Sequence, residues 1–280
     1  MKIKLLLILL FIIGFKTYSQ SDVYYFKDSN SSFSYKNINQ LEFKPLRTKI
    51  LDRHSNATFW FKVPSKETHL DYIFRINNIR AINVHAYQNF NEISKLSNQR
   101  YVSFKFSRED PVYIKVNSNF SSYFPVELST VGEGTFNEKV QLTINGFYYG
   151  VAFLVILFSI NYYYFFKDSS FLYHAFLLMS ITFSFVIFDG ILNFFNVDQK
   201  KIEFLILLDY ILLSYTSLKF GNSFLLLEKY FPRVKKFTFV LFLTIILFVI
   251  LFFILRLNEL YIILSVLTLL LLFVFRCFTI

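Results

Sequence analysis

The chain has 280 residues, 55% of them hydrophobic and 21% aromatic, with a mean hydropathy of +0.45, which excludes an ordinary soluble domain. Its formal charge of +10 invites nucleic-acid binding, yet no basic stripe or reader motif accompanies that charge, so nucleic acid is excluded as a partner. The lone Cys277 leaves no internal disulfide to form.

In chain order, "MKIKLLLILLFIIGFKTYSQ" has a basic start at Lys2 and Lys4, an apolar run from Leu5 to Phe15, and small residues at Thr17 and Ser19. That pattern is a secretory signal peptide over residues 1–19, and its apolar run is too short to span a bilayer. The chain from Gln20 onward is therefore expected outside the cytosol.

Residues 21–141 carry 16 Lys+Arg and 12 Asp+Glu, whereas residues 142–280 are almost continuously apolar, so a domain boundary is placed at 140/141. Within 20–140 the apolar residues alternate, as strands with one buried face require. Phe59, Phe61 and Val63 oppose Thr58, Trp60 and Lys62. Tyr72, Phe74 and Ile76 form the next apolar face, and Ile82, Val84 and Ala86 the third. Val102, Phe104 and Phe106, then Val112, Ile114 and Val116, then Phe124, Val126 and Leu128 complete six strands. With polar breaks between them they predict an all-β sandwich, and no helix is expected within it.

Residues 141–280 offer five apolar runs, at about 147–166, 171–195, 204–227, 237–255 and 260–275. At ~1.5 Å per residue the first covers ~30 Å, the thickness of the hydrocarbon layer. "KDSS", Lys167 to Ser170, supplies a charged stop and a serine to cap the next helix, and so short a link makes the two helices antiparallel neighbours. With the first domain outside, Lys167, Lys229, Arg233, Lys235, Lys236 and Arg276 fall on the inner side, against Lys200, Lys201 and Arg256 on the outer. The excess of inner cations supports that orientation.

"ATFWFKV", "RAINVHAY" and "DPVYIKV", followed by "FYYGVAFLVILFSINYYYFFKDSSFLYHAF", resemble the bacterial seven-transmembrane receptors with diverse intracellular signalling modules. Trp60, Tyr87 and Tyr113 carry the resemblance in the first domain, and Gly150, Asn161, Lys167, Asp168 and Tyr173 in the membrane part. "FGNSFLLLEKYFPRVKKF", from Phe220 to Phe237, is similar to the end of the family's third helix, so the likeness covers roughly residues 57–237. It implies a jelly-roll-like ectodomain, often likened to carbohydrate-binding modules, joined to an α-helical multi-span membrane domain in the inner membrane. The family has seven spans and a cytoplasmic output module, whereas five spans are legible here, which suggests a truncated or frameshifted receptor or one that signals through partner chains.

The resulting expectation is a sensory receptor whose sandwich binds a small molecule, carbohydrate in particular, and relays the event inward. Its partners are that ligand, membrane lipid, and a second copy of the chain or a signalling partner chain. A small polytopic transporter or channel is the alternative, with Asp189 and Asp209 on its path. These two aspartates are placed at similar depth on sequential spans, facing the bundle and coupling its outer mouth to the ectodomain. Asn161 is expected to bond across the helices. Trp60 is a ligand-stacking candidate, or else covered by the segment around "VYYF". His54, His69 and His85 match no compact zinc pattern, and there is no phosphate loop, nucleophile elbow or i, i+4 metal pair, so no cofactor, metal or enzymatic activity is expected.

Overall fold

The computed structural model describes residues 22–47, 57–79, 81, 83–117, 124–195, 197–255 and 259–277. The signal peptide, His54 and Ile82 lie outside the described residues. An antiparallel β-sandwich is followed by apolar helices, four of them long and apolar enough to cross a membrane, so this is a multi-pass membrane protein.

The sandwich has nine strands among the described residues. β1 is Tyr24–Asp28, β2 Lys44–Pro45, β3 Thr58–Val63, β4 Asp71–Ile76 and β5 Asn83–Gln88. β6 is Asn91–Ile93, β7 Val102–Ser107, β8 Val112–Asn117 and β9 Val126–Thr130. One sheet runs β2-β1-β3-β8-β5-β6 and the other β7-β4-β9. The alternating residues do what their period dictates. Phe59, Phe61, Phe74, Phe104, Ile114 and Val116 are sealed between the sheets, and Phe61 packs edge-on against Phe124 with centroids 5.4 Å apart.

Three strands carry no clear alternation and were not expected: β1, β2 and β6. Nor was the 3-10 turn Tyr35–Gln40, which crosses the outer face of the larger sheet. Its Tyr35 and Ile38 gain burial only against tertiary partners, which a local pattern cannot show.

After β9 the chain turns directly into α1, Val131–Phe166, with no linker. Thr130 caps the helix, accepting from the Glu133 backbone N–H while its own N–H and hydroxyl donate to the Glu133 carboxylate. The helix thus starts well before the expected boundary at 140/141, and its first turns stand beside β4, where Gly134 abuts Ser129 and Ile73. α1 ends at Lys167, left-handed at φ 54°, and Asp168 rather than a serine caps α2, Ser169–Phe188, by accepting from the Ser170 N–H at 2.8 Å.

The run expected to extend to Phe195 breaks at Gly190, φ +71°, into a 3-10 turn over Ile191–Phe195. α3 is Gln199–Phe224, α4 Leu227–Tyr230, α5 Pro232–Leu255 and α6 Glu259–Cys277. In α6 the described apolar stretch, Ile262–Val274, is shorter than a full span. α1 packs on α2, α2 on α3, and α3 on both α5 and α6.

Candidate functional site

The two faces of β4 have different fates. Phe74 and Ile76 enter the sandwich core, while Ile73 and Arg75 point the other way and are buried beneath α1. Arg75 is 4% exposed, and its guanidinium reaches Glu138 on α1 at 3.1 Å and Glu127 on β9 at 3.6 Å. A second buried arginine, Arg100, ends the loop before β7 and forks onto the same Glu138, with Nε to Oε1 and Nη2 to Oε2, the latter 3.0 Å. One carboxylate thus holds two arginines of the sandwich to the first membrane helix.

The same loop touches α2. Arg100 Nη1 approaches the Asp189 carbonyl at 3.5 Å, the Tyr101 hydroxyl donates to the Phe188 carbonyl at 3.3 Å, and Asn193 Nδ2 donates to the Arg100 carbonyl. Gly190 makes this approach feasible, since a Cβ there would lie 2.5 Å from the Arg100 carbonyl oxygen. Ile79, from the turn after β4, completes the contact by joining the apolar cluster of Ile187, Ile202 and Ile206 in the bundle.

Electrostatics follow from this burial. Desolvation alone would lower the Arg100 pKa, but the hydrogen bond and charge of Glu138 outweigh it and the net shift is upward, so the cation is held firmly. Burial raises the Tyr101 phenol, with Arg100 opposing and the acidic groups adding. A buried pair of this kind contributes little beyond what desolvation takes away, yet removing one partner costs about 3–5 kcal/mol. It therefore fixes geometry more than it stabilises.

Of the residues singled out in the sequence, Asp189 stands at this junction. It terminates α2, and its Oδ2 accepts from Asn145 Nδ2 at 2.8 Å and from the Tyr149 hydroxyl at 2.6 Å, both on α1. Asp209 stands elsewhere. It is 3% exposed inside the bundle, where Oδ2 accepts from the Ser184 hydroxyl at 2.6 Å and Oδ1 has no partner among the described residues. Ser184 precedes Asp189 by five residues, so the two aspartates differ in depth by ~7 Å and share no partner.

Asn161 faces outward from the bundle and donates to its own Leu157 carbonyl at 3.1 Å. Trp60 is 1% exposed, covered by Phe26 of β1 and by Tyr35 and Ile38 of the 3-10 turn, and its indole N–H is unpartnered among the described residues. Lys115 lies 5.3 Å from its ring centroid. On α2, His174 bonds Ser159 of α1 at 2.9 Å, and on α3 the ammonium of Lys219 sits over Tyr215.

The arginines and Glu138 escaped sequence reasoning. An arginine at the polar phase of β4 looks solvated until α1 is laid over it. The only available signal was Arg75 between two residues of high strand propensity, and that is weak.

No curated protein is similar enough to the chain to count as a match. A family model, 7TM diverse intracellular signalling, matches residues 141–280, half of the chain, and spans α2, α3, α5 and α6 together with most of α1. The sandwich clamped onto the ends of the first two membrane helices is what a membrane sensor of that description needs, and the chain belongs to the 7TM diverse intracellular signalling family.

Proposed function

We propose that the sandwich is an extracytoplasmic sensor for a small ligand, with carbohydrate the first class to test, in a receptor of the inner membrane. Ligand binding favours one arrangement of sandwich and helices over another, and α1 and α2 carry the difference to a cytoplasmic output module. The observation that supports this reading is the Arg75–Glu138–Arg100 clamp, which ties β4 and the loop before β7 to α1 while the same loop rests on the end of α2. A displacement of the sandwich cannot leave α1 unmoved without breaking buried ion pairs, nor the end of α2 without breaking the hydrogen bonds of Arg100 and Tyr101 to its carbonyls.

The ligand face in this reading is the outer side of the larger sheet, where Trp60, Tyr113 and Tyr87 lie beneath the 3-10 turn. Sugar rings stack on such aromatics, and the indole N–H, unpartnered among the described residues, offers them a donor once the turn lifts.

Because Trp60 is the chain's one tryptophan, indole emission reports this face alone. The full chain in lipid nanodiscs is screened against glycans and small metabolites by thermal shift, with emission read in parallel. A true ligand raises the melting temperature and shifts the emission. With labels at Asn98 and Phe195, it also changes their separation, and Glu138→Gln uncouples that change from binding. A ligand that binds while the label separation stays constant would remove the relay.

A further inference from the structure

α1 buries one narrow stripe, including Gly134, Asn145, Ala152, Ile156 and Ser159, and leaves the opposite side of the helix bare. On that side Val140, Ile144, Phe147, Val151, Leu154 and Phe158 are 40–76% exposed, and their spacing is 4, 3, 4, 3, 4. A series with this spacing keeps one face toward a second helix over its whole length.

Lipid does not account for both ends of the seam. At its outer end the stripe continues one turn further to Phe136, which is 66% exposed and lies beyond Glu138. Glu138 is in the arginine clamp, and a charged cluster marks the edge of the hydrocarbon, so Phe136 projects where acyl chains do not reach. At the inner end the next seam position after Phe158 is Asn161, whose amide is turned to the outside of the bundle and satisfies only its own helix. A side-chain amide facing acyl chains is disfavoured, and its donor and acceptor are complementary to those of an identical amide.

We infer that this face of α1 is the contact between two copies of the chain, packed in parallel about a two-fold axis along the membrane normal, with Asn161 meeting Asn161. Parallel packing results because both copies insert with the same topology, and self-complementarity is what an isologous contact requires. A single polar residue in an apolar seam sets register between parallel helices. The area suffices: Phe136, Phe147, Phe158 and Phe165, 59–76% exposed, together present on the order of 500 Å². The smaller apolar residues of the seam bring this near the ~800 Å² per partner of a stable interface. Gly150, on the flank, has open space where a Cβ would be, so the helices can approach closely there. Because α1 starts directly at β9, pairing of α1 also fixes how the two sandwiches stand beside each other.

The test is disulfide scanning of the full chain in native membranes, with Cys277 replaced by serine. Single cysteines at 140, 144, 147, 151, 154 and 158 touch little within one copy, so folding is preserved. Cross-linking at these positions to a product of twice the chain mass, with none at Phe153 and Ile160, which are also exposed but lie away from the seam, is the expected result. Equal cross-linking at 153 and 160 means random collision, no cross-linking means that lipid alone covers the face, and a product of another mass means a different partner. Each of these overturns the proposal. In a bilayer dilution series Asn161→Leu raises the dissociation constant about fivefold. An unchanged constant removes Asn161 from the interface.

Discussion

At the scale of the residue, the junction rests on groups whose replacement has a calculable direction. Gly190 adopts φ +71° and sits where any Cβ would strike the Arg100 carbonyl, so Gly190→Ala combines left-handed strain with a steric clash. It should cost about 1–3 kcal/mol, localised as faster hydrogen exchange in the loop before β7 and at the end of α2. Glu138→Ala takes the carboxylate from buried Arg100 and leaves Arg75 with Glu127 alone at 3.6 Å, and a loss of about 3–5 kcal/mol is expected in thermal unfolding, larger than for Glu127→Ala, whose partner is farther away. Tyr101 yields a pH dependence. Its folded-state pKa is raised above the ordinary 10.0, chiefly by burial, so the folded state holds the phenolic proton more tightly. That contribution is fully present below pH 10, and it is lost as pH rises through the raised value. Alkaline unfolding of Tyr101→Phe should therefore be flatter above about pH 10 than that of the parent chain. Trp60 was legible as an aromatic opposite the Phe59 and Phe61 face, and so was part of its cover, Phe26 of the "VYYF" segment, but the turn Tyr35–Gln40 was not, because nothing local marks that turn as packed.

At the scale of the element, α1 is the decisive feature. It is a continuous helix of 36 residues in which the first part leans on a sheet and the rest crosses lipid. Apolar run length located the membrane part near Phe147 but not the helix start at Val131. The residues between are polar enough to read as domain surface, and only the capping box of Thr130 and Glu133 marks the start. Thr130→Ala should lower stability by about 1 kcal/mol and raise hydrogen exchange in the first turn of α1 ahead of the rest of the helix. The six alternating strands were readable because each has one face in the core. β1, β2 and β6 lacked that signal, being at or near sheet edges or very short. The break at Gly190 also escaped hydropathy, since Ile191, Leu192, Phe194 and Phe195 continue the apolar character while the backbone leaves the helix.

At the scale of the whole molecule, the sandwich and the helices share an apolar contact as well as ion pairs. Ile79 and Tyr101 pack with the cluster formed by α2, α3, α5 and α6, so the sandwich is seated on the bundle. For the proposed topology, protease added to sealed cells should cleave within residues 22–130 and spare the helices, and the chain should sediment with membranes until detergent is added. Recovery in the soluble fraction would contradict the membrane reading, and protection of the sandwich would contradict its orientation. The amino-acid sequence by itself determined that the chain is strands first and membrane helices after, because period-two alternation and ~20-residue apolar runs are local properties set by which solvent each residue meets. Only the tertiary structure decided that Arg75 and Arg100 converge on Glu138, that Asp189 answers to Asn145 and Tyr149 while Asp209 stands apart, and that one side of α1 is left bare. Those facts depend on residues far apart in the chain being brought within a few ångströms, and a charged side chain reads the same in sequence whether water or a buried counter-ion awaits it.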